Sequence, residues 1–256
     1  MPKPFIFDQA LQSELREAKA EFLRRVITPW QSSPGLQTAF DTGCGVGYFS
    51  GVLQELGLRV TAADGRAENV AEARDRYPSI DFYVADAEDP SPANFGTFDL
   101  ILCFGLLYHL ENPLRAMRNL RSLTGKLLLL ESLCLPDDQP FLFLLDEPLG
   151  EDQSLRAVSY YPSEGAMIKM AYRAGFPHVY RFRELPNHDH FRPGVGRVRM
   201  RTVIAASLSP LESPLIVAAP EPMPSGDLWN TDPTGATKIA RKLRRYFKRS
   251  TTRKRP

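Results

Sequence analysis

Phe40-Asp41-Thr42-Gly43-Cys44-Gly45-Val46-Gly47-Tyr48-Phe49-Ser50 is the stretch of this chain that says most about chemistry. Glycines at 43, 45 and 47 let the backbone turn sharply and come close to a bound molecule. The residues after them read as a helix, whose first turn presents N–H groups without intrahelical partners. The acid Asp41 precedes the turn, so the spacing is D-x-G-x-G-x-G. A dinucleotide-binding oxidoreductase is the rival reading, but its G-x-G-x-x-G fingerprint needs glycine where Tyr48 stands. Two further acids follow, Asp64 before Gly65 and Asp86 before Ala87. Asp64 lies 21 residues beyond Gly43, where a carboxylate can accept hydrogen bonds from both hydroxyls of a ribose. Asp86 can accept from an adenine amino group while the Ala87 N–H meets a ring nitrogen. The bland alternative is an acid that caps its own turn.

These residues need elements to hold them, and the hydrophobic pattern supplies a regular alternation. Thr38–Thr42 reads as a strand, followed by a helix to about Leu56 with Gly57 past its end. Leu58–Ala63 is a second strand ending at Asp64, and Ala67–Tyr77 a helix closed by Pro78. Asp81–Ala85 is a third strand ending at Asp86, and Phe98–Cys103 a fourth, leading into Phe104. Asn112 then caps a helix that opens with Pro113. Lys126–Leu133 is a fifth strand, apolar enough to be buried on both faces. Strands alternating with helices imply a doubly wound parallel sheet, with the acids and glycines at its carboxyl-end edge, where open α/β sheets bind ligands. An amphipathic helix over residues 8–28 precedes this unit, on the spacing of Leu11, Leu15, Ala18, Phe22 and Val26. Residues 134–162 form a long acidic connection expected to act as a lid or acceptor wall, with Tyr160 and Tyr161 near its end. Ser163 caps a helix to Ala174, and Val179–Leu185 and Val198–Ser207 are two more strands. Residues 209–237 are proline-rich and expected to be a linker.

Taken together, Asp41, the three glycines, Asp64, Asp86 and Phe98-Asp99-Leu100-Ile101 make residues 36–208 resemble the class I S-adenosylmethionine-dependent methyltransferases. The resemblance implies a Rossmann-like seven-stranded sheet whose last strand, Val198–Ser207, is antiparallel. It implies S-adenosyl-L-methionine as cofactor. The expected cofactor residues are Asp41, Gly43, Cys44, Gly45, Gly47, Asp64, Gly65, Asp86, Ala87 and Phe104. In that family the glycine turn holds the methionine end, and the first acid helps anchor its amino group. A narrower likeness connects Phe104-Gly105-Leu106-Leu107-Tyr108-His109, Tyr161-Pro162-Ser163 and Arg201-Thr202-Val203-Ile204-Ala205 to enzymes that carboxymethylate wobble uridine in tRNA. Tyr108 and Arg201 match residues that handle the carboxylated cofactor there, whereas those enzymes' N-terminal extension has no counterpart.

Methyl transfer from a sulfonium is an in-line displacement, so the protein supplies alignment, exclusion of water and sometimes a base. Tyr108 and His109 follow the fourth strand and are expected beside the transferred methyl, Tyr108 to orient the acceptor and His109 to take a proton. Packing or capping of the next helix is an equal reading of His109. His188 and His190, with Asp189 between them, are the second base candidate, against a plain polar loop. No ligand set points to a metal: H-D-H stands alone, and Cys44, Cys103 and Cys134 are few, odd in number and far apart.

Hydrophobic residues at 43% and charged residues at 24% exclude a disordered or fibrous chain. The cysteine usage, the absence of an apolar run of membrane-span length and the polar start lead to the expectation of a cytoplasmic protein. The net charge of +2 hides an asymmetry: residues 238–256 hold ten Lys or Arg and no acid, which leaves a net −8 over 1–237. Ile239, Leu243, Tyr246 and Phe247 share one helical face of that tail, a pattern suited to an anionic membrane surface or to RNA. The acceptor expected is a small molecule or a glycan or lipid precursor, methylated on oxygen or nitrogen. The alternatives are a tRNA-modifying (carboxy)methyltransferase and a non-catalytic module that only binds the cofactor.

Overall fold

The computed structural model describes residues 10–90, 95–146, 154–192 and 200–222. Helix α1, Ala10–Ser32, lies ahead of the alternating unit and buries Leu15, Phe22, Leu23, Val26, Ile27 and Trp30. It continues past the expected end through Pro29, because Trp30 packs on Phe182 at 6.1 Å and its carbonyl accepts from the Gly35 and Leu36 N–H groups. The alternation then follows the sequence closely: β1 Thr38–Thr42, α2 Tyr48–Glu55, β2 Arg59–Asp64, α3 Ala67–Arg76, β3 Asp81–Val84, β4 Phe98–Phe104, α4 Pro113–Leu123 and β5 Thr124–Cys134.

An eight-stranded sheet results. After a hairpin of β6, Leu142–Asp146, and β7, Val158–Pro162, the chain adds α5 Glu164–Ala174, β8 His178–Phe182, β9 Met200–Ser207 and β10 Ile216–Ala218. The spatial order is β10-β8-β9-β5-β4-β1-β2-β3. Neighbours β3, β2, β1, β4 and β5 are parallel, and β9 runs antiparallel to both β5 and β8. The expected seven strands with one antiparallel member are all present. The eighth lies in the segment expected to be a linker: Ile216–Ala218 pairs antiparallel with Phe182–Tyr180, and Ile216 and Ala219 are buried. The apolar run Leu215–Ala219 is only five residues long and closed in by Pro214 and Pro220, so it reads as part of the proline-rich linker. The rest of that segment, from 223, the basic tail and residues 193–199 lie outside the described residues, as does the side chain of Leu11.

Period-two alternation places the core in two layers. Leu100, Leu102, Leu127, Leu129, Val203 and Ala205 face the cluster formed by α1 and α2. Ile101, Cys103, Leu128, Leu130, Ile204 and Ala206 face α4 and α5 through Met117, Leu120, Met167 and Ile168. Two helix starts differ from each other in an informative way. Ser163 accepts from the Ala166 N–H as expected for a cap, whereas Asn112 makes no side-chain cap and instead donates to Glu88 at 2.9 Å. No helix among the described residues is long and apolar enough to cross a membrane.

Candidate cofactor and active site

Parallel pairing brings the ends of β1, β2, β3 and β4 to one edge, with Asp41 beside Ala62 and Leu102, and Asp64 beside Val84. A narrow cleft opens there, too small as it stands for a whole small molecule. Gly43, Asp64, Gly65, Arg66, Ala85, Asp86, Ala87, Leu106 and His109 line it, together with Ser154, Leu155 and Arg156 from the hairpin connection.

The glycine turn is held from β2. Gly43 and Cys44 donate to the Ala63 carbonyl at 2.8 and 3.0 Å, and Gly45 donates to Asp64 at 2.9 Å. Gly43 and Gly47 sit at φ +69° and +85°, in the left-handed region. A Cβ on Gly43 would come within 2.9 Å of Leu106, and one on Gly47 within 3.0 Å of Phe82 and Tyr77. Gly47 is the N-cap of α2, so the turn delivers that helix's free N–H end to the site. Tyr48, the residue that breaks the dinucleotide pattern, donates to Glu17 of α1 at 2.6 Å and lies under Arg16. The first helix therefore fastens the start of α2.

Each acid has a distinct environment. Asp41 is buried and accepts from the Ser50 hydroxyl at 2.7 Å. Burial, helped by the nearby Asp64 charge, pushes its carboxyl up to about 7, against the lowering pull of Ser50. Asp64 accepts from the N–H groups of Gly45 and Arg66 and from the Asn69 amide. An ionised carboxylate offers about four acceptor positions, so capacity remains for a sugar hydroxyl. Asp86 accepts from the Glu88 N–H and from Arg156 at 2.8 Å. Turn capping and cleft lining therefore coexist at Asp86.

Several expected site residues stand elsewhere. The Cys44 side chain packs with Ala62, Val70, Ala73, Ile80 and Phe82, and burial pushes its thiol up, so it is a core residue. Phe104 packs edge-on against Phe49 at 5.6 Å in the layer under α1 rather than lining the cleft. Gly45 commits its N–H to Asp64, and Gly47 works as a helix cap. His188 and His190 line a separate surface depression with Glu14, Asn187, Asp189 and Arg192. There the His188 Nδ1 accepts from the His190 N–H, a local turn contact. All three cysteines are buried, and no group of metal-binding side chains occurs among the described residues. Tyr160 and Tyr161 lie on β7 and are not among the cleft residues.

Tyr108 and His109 occupy one short helical turn, Leu107–His109, with ring centroids 4.1 Å apart. His109 lines the cleft, while Tyr108 is buried behind it. Behind Tyr108 lies a buried charged group that spacing did not reveal. Arg201 donates to Glu131 at 2.9 Å and to the Tyr108 hydroxyl at 3.2 Å, and Lys19 of α1 donates to Glu131 at 2.8 Å. Burial opposes the ionisation of Glu131, but Lys19 and Arg201 outweigh it and hold its carboxyl below the usual range. Burial pushes Lys19 down to about 8, with Glu131 pulling the other way. Two cations around one carboxylate leave this cluster net positive. The signal for it was an acid inside the apolar run Leu127–Leu133 and a lysine within the apolar stripe of α1.

The comparisons with known proteins bear on the domain that carries this cleft. The profile of a family described as "Methyltransferase domain" matches residues 40–126. A ubiquinone biosynthesis O-methyltransferase of Xanthomonas campestris pv. campestris (strain B100) is 35% identical over 94 residues, 35% of this chain and 39% of that protein. A tRNA U34 carboxymethyltransferase of Trichlorobacter lovleyi is 31% identical over 147 residues, 54% of this chain and 44% of that one. The chain thus spans about two fifths of the length of these relatives. Among solved structures, the N-terminal domain of EvdMO1 with SAH bound superposes with a TM-score of 0.61 at 19% identity, covering 73% of this chain and 80% of that one. Magnesium protoporphyrin IX methyltransferase from Synechocystis PCC 6803 with bound SAM gives 0.53 at 20% identity, covering 78% and 85%. With the sheet order, the antiparallel β9 and the three acids at successive strand ends, residues 40–126 are a methyltransferase domain, set in a class I methyltransferase fold.

Proposed function

We propose that this chain is an S-adenosylmethionine-dependent methyltransferase acting on oxygen or nitrogen of a small-molecule or glycan or lipid precursor. The observation that carries the reading is Asp64 and Asp86 lining one cleft beside the glycine turn at the carboxyl ends of adjacent strands, with Asp41 buried at the end of the neighbouring β1 and not itself lining the cleft. The donor set fits a cationic nucleoside. Asp86 already accepts from the Arg156 guanidinium, the kind of planar N–H donor an adenine amino group also offers. When bound, the sulfonium supplies an electrophilic methyl that an acceptor lone pair takes in line as the carbon–sulfur bond breaks. Asp64 orients the ribose, Asp86 and the Ala87 N–H the base, and Asp41 the amino group of the methionine end. Leu106, pressed against Gly43, excludes water beside the turn. His109 takes the proton that an acceptor hydroxyl or ammonium must lose, its imidazole suited to that exchange near neutral pH.

Calorimetry with S-adenosylmethionine, S-adenosylhomocysteine and NAD tests the first step. Binding of the nucleosides and not of NAD is expected, and the reverse pattern overturns the assignment. Asp64→Ala should weaken cofactor affinity by about 1.5–3 kcal/mol, the worth of a hydrogen bond to a charged group. His109→Ala should lower kcat while leaving cofactor affinity intact. A protein that binds cofactor tightly but turns over none of a phenol, sugar, lipid-precursor or tRNA panel is the non-catalytic module instead.

A second reading has its own support. The net positive cluster of Lys19, Glu131 and Arg201 behind Tyr108 suits a carboxylated cofactor, and the tRNA U34 carboxymethyltransferase is among the relatives. It predicts transfer to tRNA and RNA binding that weakens steeply with salt. Lys19 and Glu131 also tie up each other's charge, which favours the uncharged methyl as the group transferred.

A further inference from the structure

The nucleoside end of the cleft is filled by the protein's own chain. Leu155 reaches over Gly65 so closely that a Cβ there would sit 2.5 Å from its Cδ1. Arg156 spreads its guanidinium over three carboxylates: Asp86 at 2.8 Å, Glu111 at 3.2 Å and Glu88 at 3.4 Å. Ser154 ties the same strand of chain to the floor, donating to the His109 carbonyl at 3.0 Å and accepting at its own carbonyl from Arg66 at 3.0 Å. Ala157, which follows, has φ +54°, a left-handed backbone that a residue with a Cβ disfavours. Leu155 is nevertheless 46% exposed and the Arg156 side chain 41% exposed, so neither is locked into the core.

We propose that Ser154-Leu155-Arg156 is a strap that occupies the adenosine position in the cofactor-free protein and must yield to the nucleoside. Arg156 stands in for the adenine amino group at Asp86, and Leu155 covers the ribose side at Gly65. This inference rests on the cofactor reading given above, since it takes Asp86 as the base-reading acid. Displacement has a consequence on the acceptor side as well. The strap holds the His109 carbonyl through Ser154, and β7, which begins two residues after it, holds the Tyr108 carbonyl through Ser159 at 2.9 Å. Filling the nucleoside end therefore loosens the Ser154 contact to the turn that bears His109.

The test is cofactor binding by calorimetry for the full chain, Arg156→Ala, Leu155→Ala and Asp86→Ala, with S-adenosylhomocysteine and adenosine as ligands beside S-adenosylmethionine. Arg156→Ala is expected to tighten all three ligands by roughly two- to five-fold, in keeping with the loss of a partly exposed ion pair. Tightening confined to the sulfonium ligand means that only a repelling charge was removed, and it overturns the strap. Unchanged or weaker binding of S-adenosylhomocysteine overturns it too, because Arg156 is then a clamp or a bystander. Asp86→Ala separates the two levels. If Asp86→Ala, made in the Arg156→Ala background where that strap contact is already gone, weakens binding while Arg156→Ala alone fails to tighten it, the site stands and the strap falls; if it has no effect in that background, both fall. Hydrogen exchange gives an independent reading: saturating S-adenosylhomocysteine should raise exchange at the amides of 155–157, and increased protection there refutes displacement.

Discussion

Replacing Asp41 by Asn isolates the energetic tension of the site. Asp41 is 2% exposed, and its described side-chain partner is the Ser50 hydroxyl. Raising its carboxyl from 3.8 to about 7 corresponds to about 4 kcal/mol, at roughly 1.4 kcal/mol per pH unit. The sign follows from proton linkage. An acid whose folded value is raised contributes stability that is whole below pH 3.8 and lost as pH rises through about 7. Asparagine keeps an acceptor for Ser50 and removes the charge, so it escapes that loss. Urea unfolding of both proteins at pH 5 and pH 8 reads the difference. The advantage of Asp41→Asn should widen by about 2–3 kcal/mol between the two, at roughly 1.4 kcal/mol per pH unit up to pH 7. Other titrating groups cancel in the comparison. Cofactor binding should move the opposite way: the variant loses about 1.5–3 kcal/mol of affinity if the carboxylate meets an ammonium. The wild-type affinity should rise from pH 6 to pH 8, and that of the variant should not. A gap in stability that stays constant with pH, or a variant that binds cofactor as tightly as wild type, refutes the reasoning.

Gly43→Ala should cost on the order of 1–3 kcal/mol, because a left-handed φ and a 2.9 Å approach to Leu106 act together; thermal unfolding checks it, and unchanged stability would mean that the turn relaxes freely. Glu131→Ala leaves Lys19 and Arg201 facing each other in the interior, so a loss of about 3–5 kcal/mol is expected in denaturant unfolding. Lys19→Met in that background should recover part of the loss, and the lack of any recovery would deny the coupling. Asp99→Asn should destabilise by about 1–3 kcal/mol at pH 7, because its carboxylate serves Lys126 and the N–H groups of Gln37 and Thr38. Burial works against that carboxylate, yet Lys126 and the two N–H groups hold it below the usual range. The wild-type advantage should therefore fade as acid protonates Asp99, and an advantage that persists in acid would rule out the charge as its source.

The parallel half of the sheet was legible because its signals are local. A strand that ends in an acid, a turn that demands left-handed backbone and a helix that follows are each visible within ten residues. Asp41, Asp64 and Asp86 could be assigned to one edge once the strands were taken as parallel, since parallel strands put all their carboxyl ends together. What the glycines do individually was less visible. Gly43, Gly45 and Gly47 all share the left-handed region, but the pairing of Gly45 with Asp64 depends on a strand contact that no spacing expresses. The same holds for Cys44 and Phe104, which adjoin the site in sequence and point into the core on either side of it.

The least legible residues are those that meet the site from far along the chain, and they share one trait: each is a charge placed where its own neighbourhood is apolar or irregular. Glu131 interrupts a run of leucines, Lys19 interrupts the apolar stripe of α1, and Arg156 lies in a connection without periodicity. A buried charge requires a partner, so Glu131 and Lys19 each announce a contact without naming it, whereas the half-exposed Arg156 announces none. The partners are named only by the fold, which carries Lys19 across 112 residues to Glu131 and Arg156 across 70 residues to Asp86. That division has a functional consequence. On the proposed reading, the acids at the sheet's edge are fixed by the scaffold and would set which nucleoside is recognised. Arg156, which arrives from the hairpin connection and pairs with Asp86, would set when the nucleoside end opens, and Lys19, which arrives from α1 and pairs with Glu131, would set what charge lies behind Tyr108.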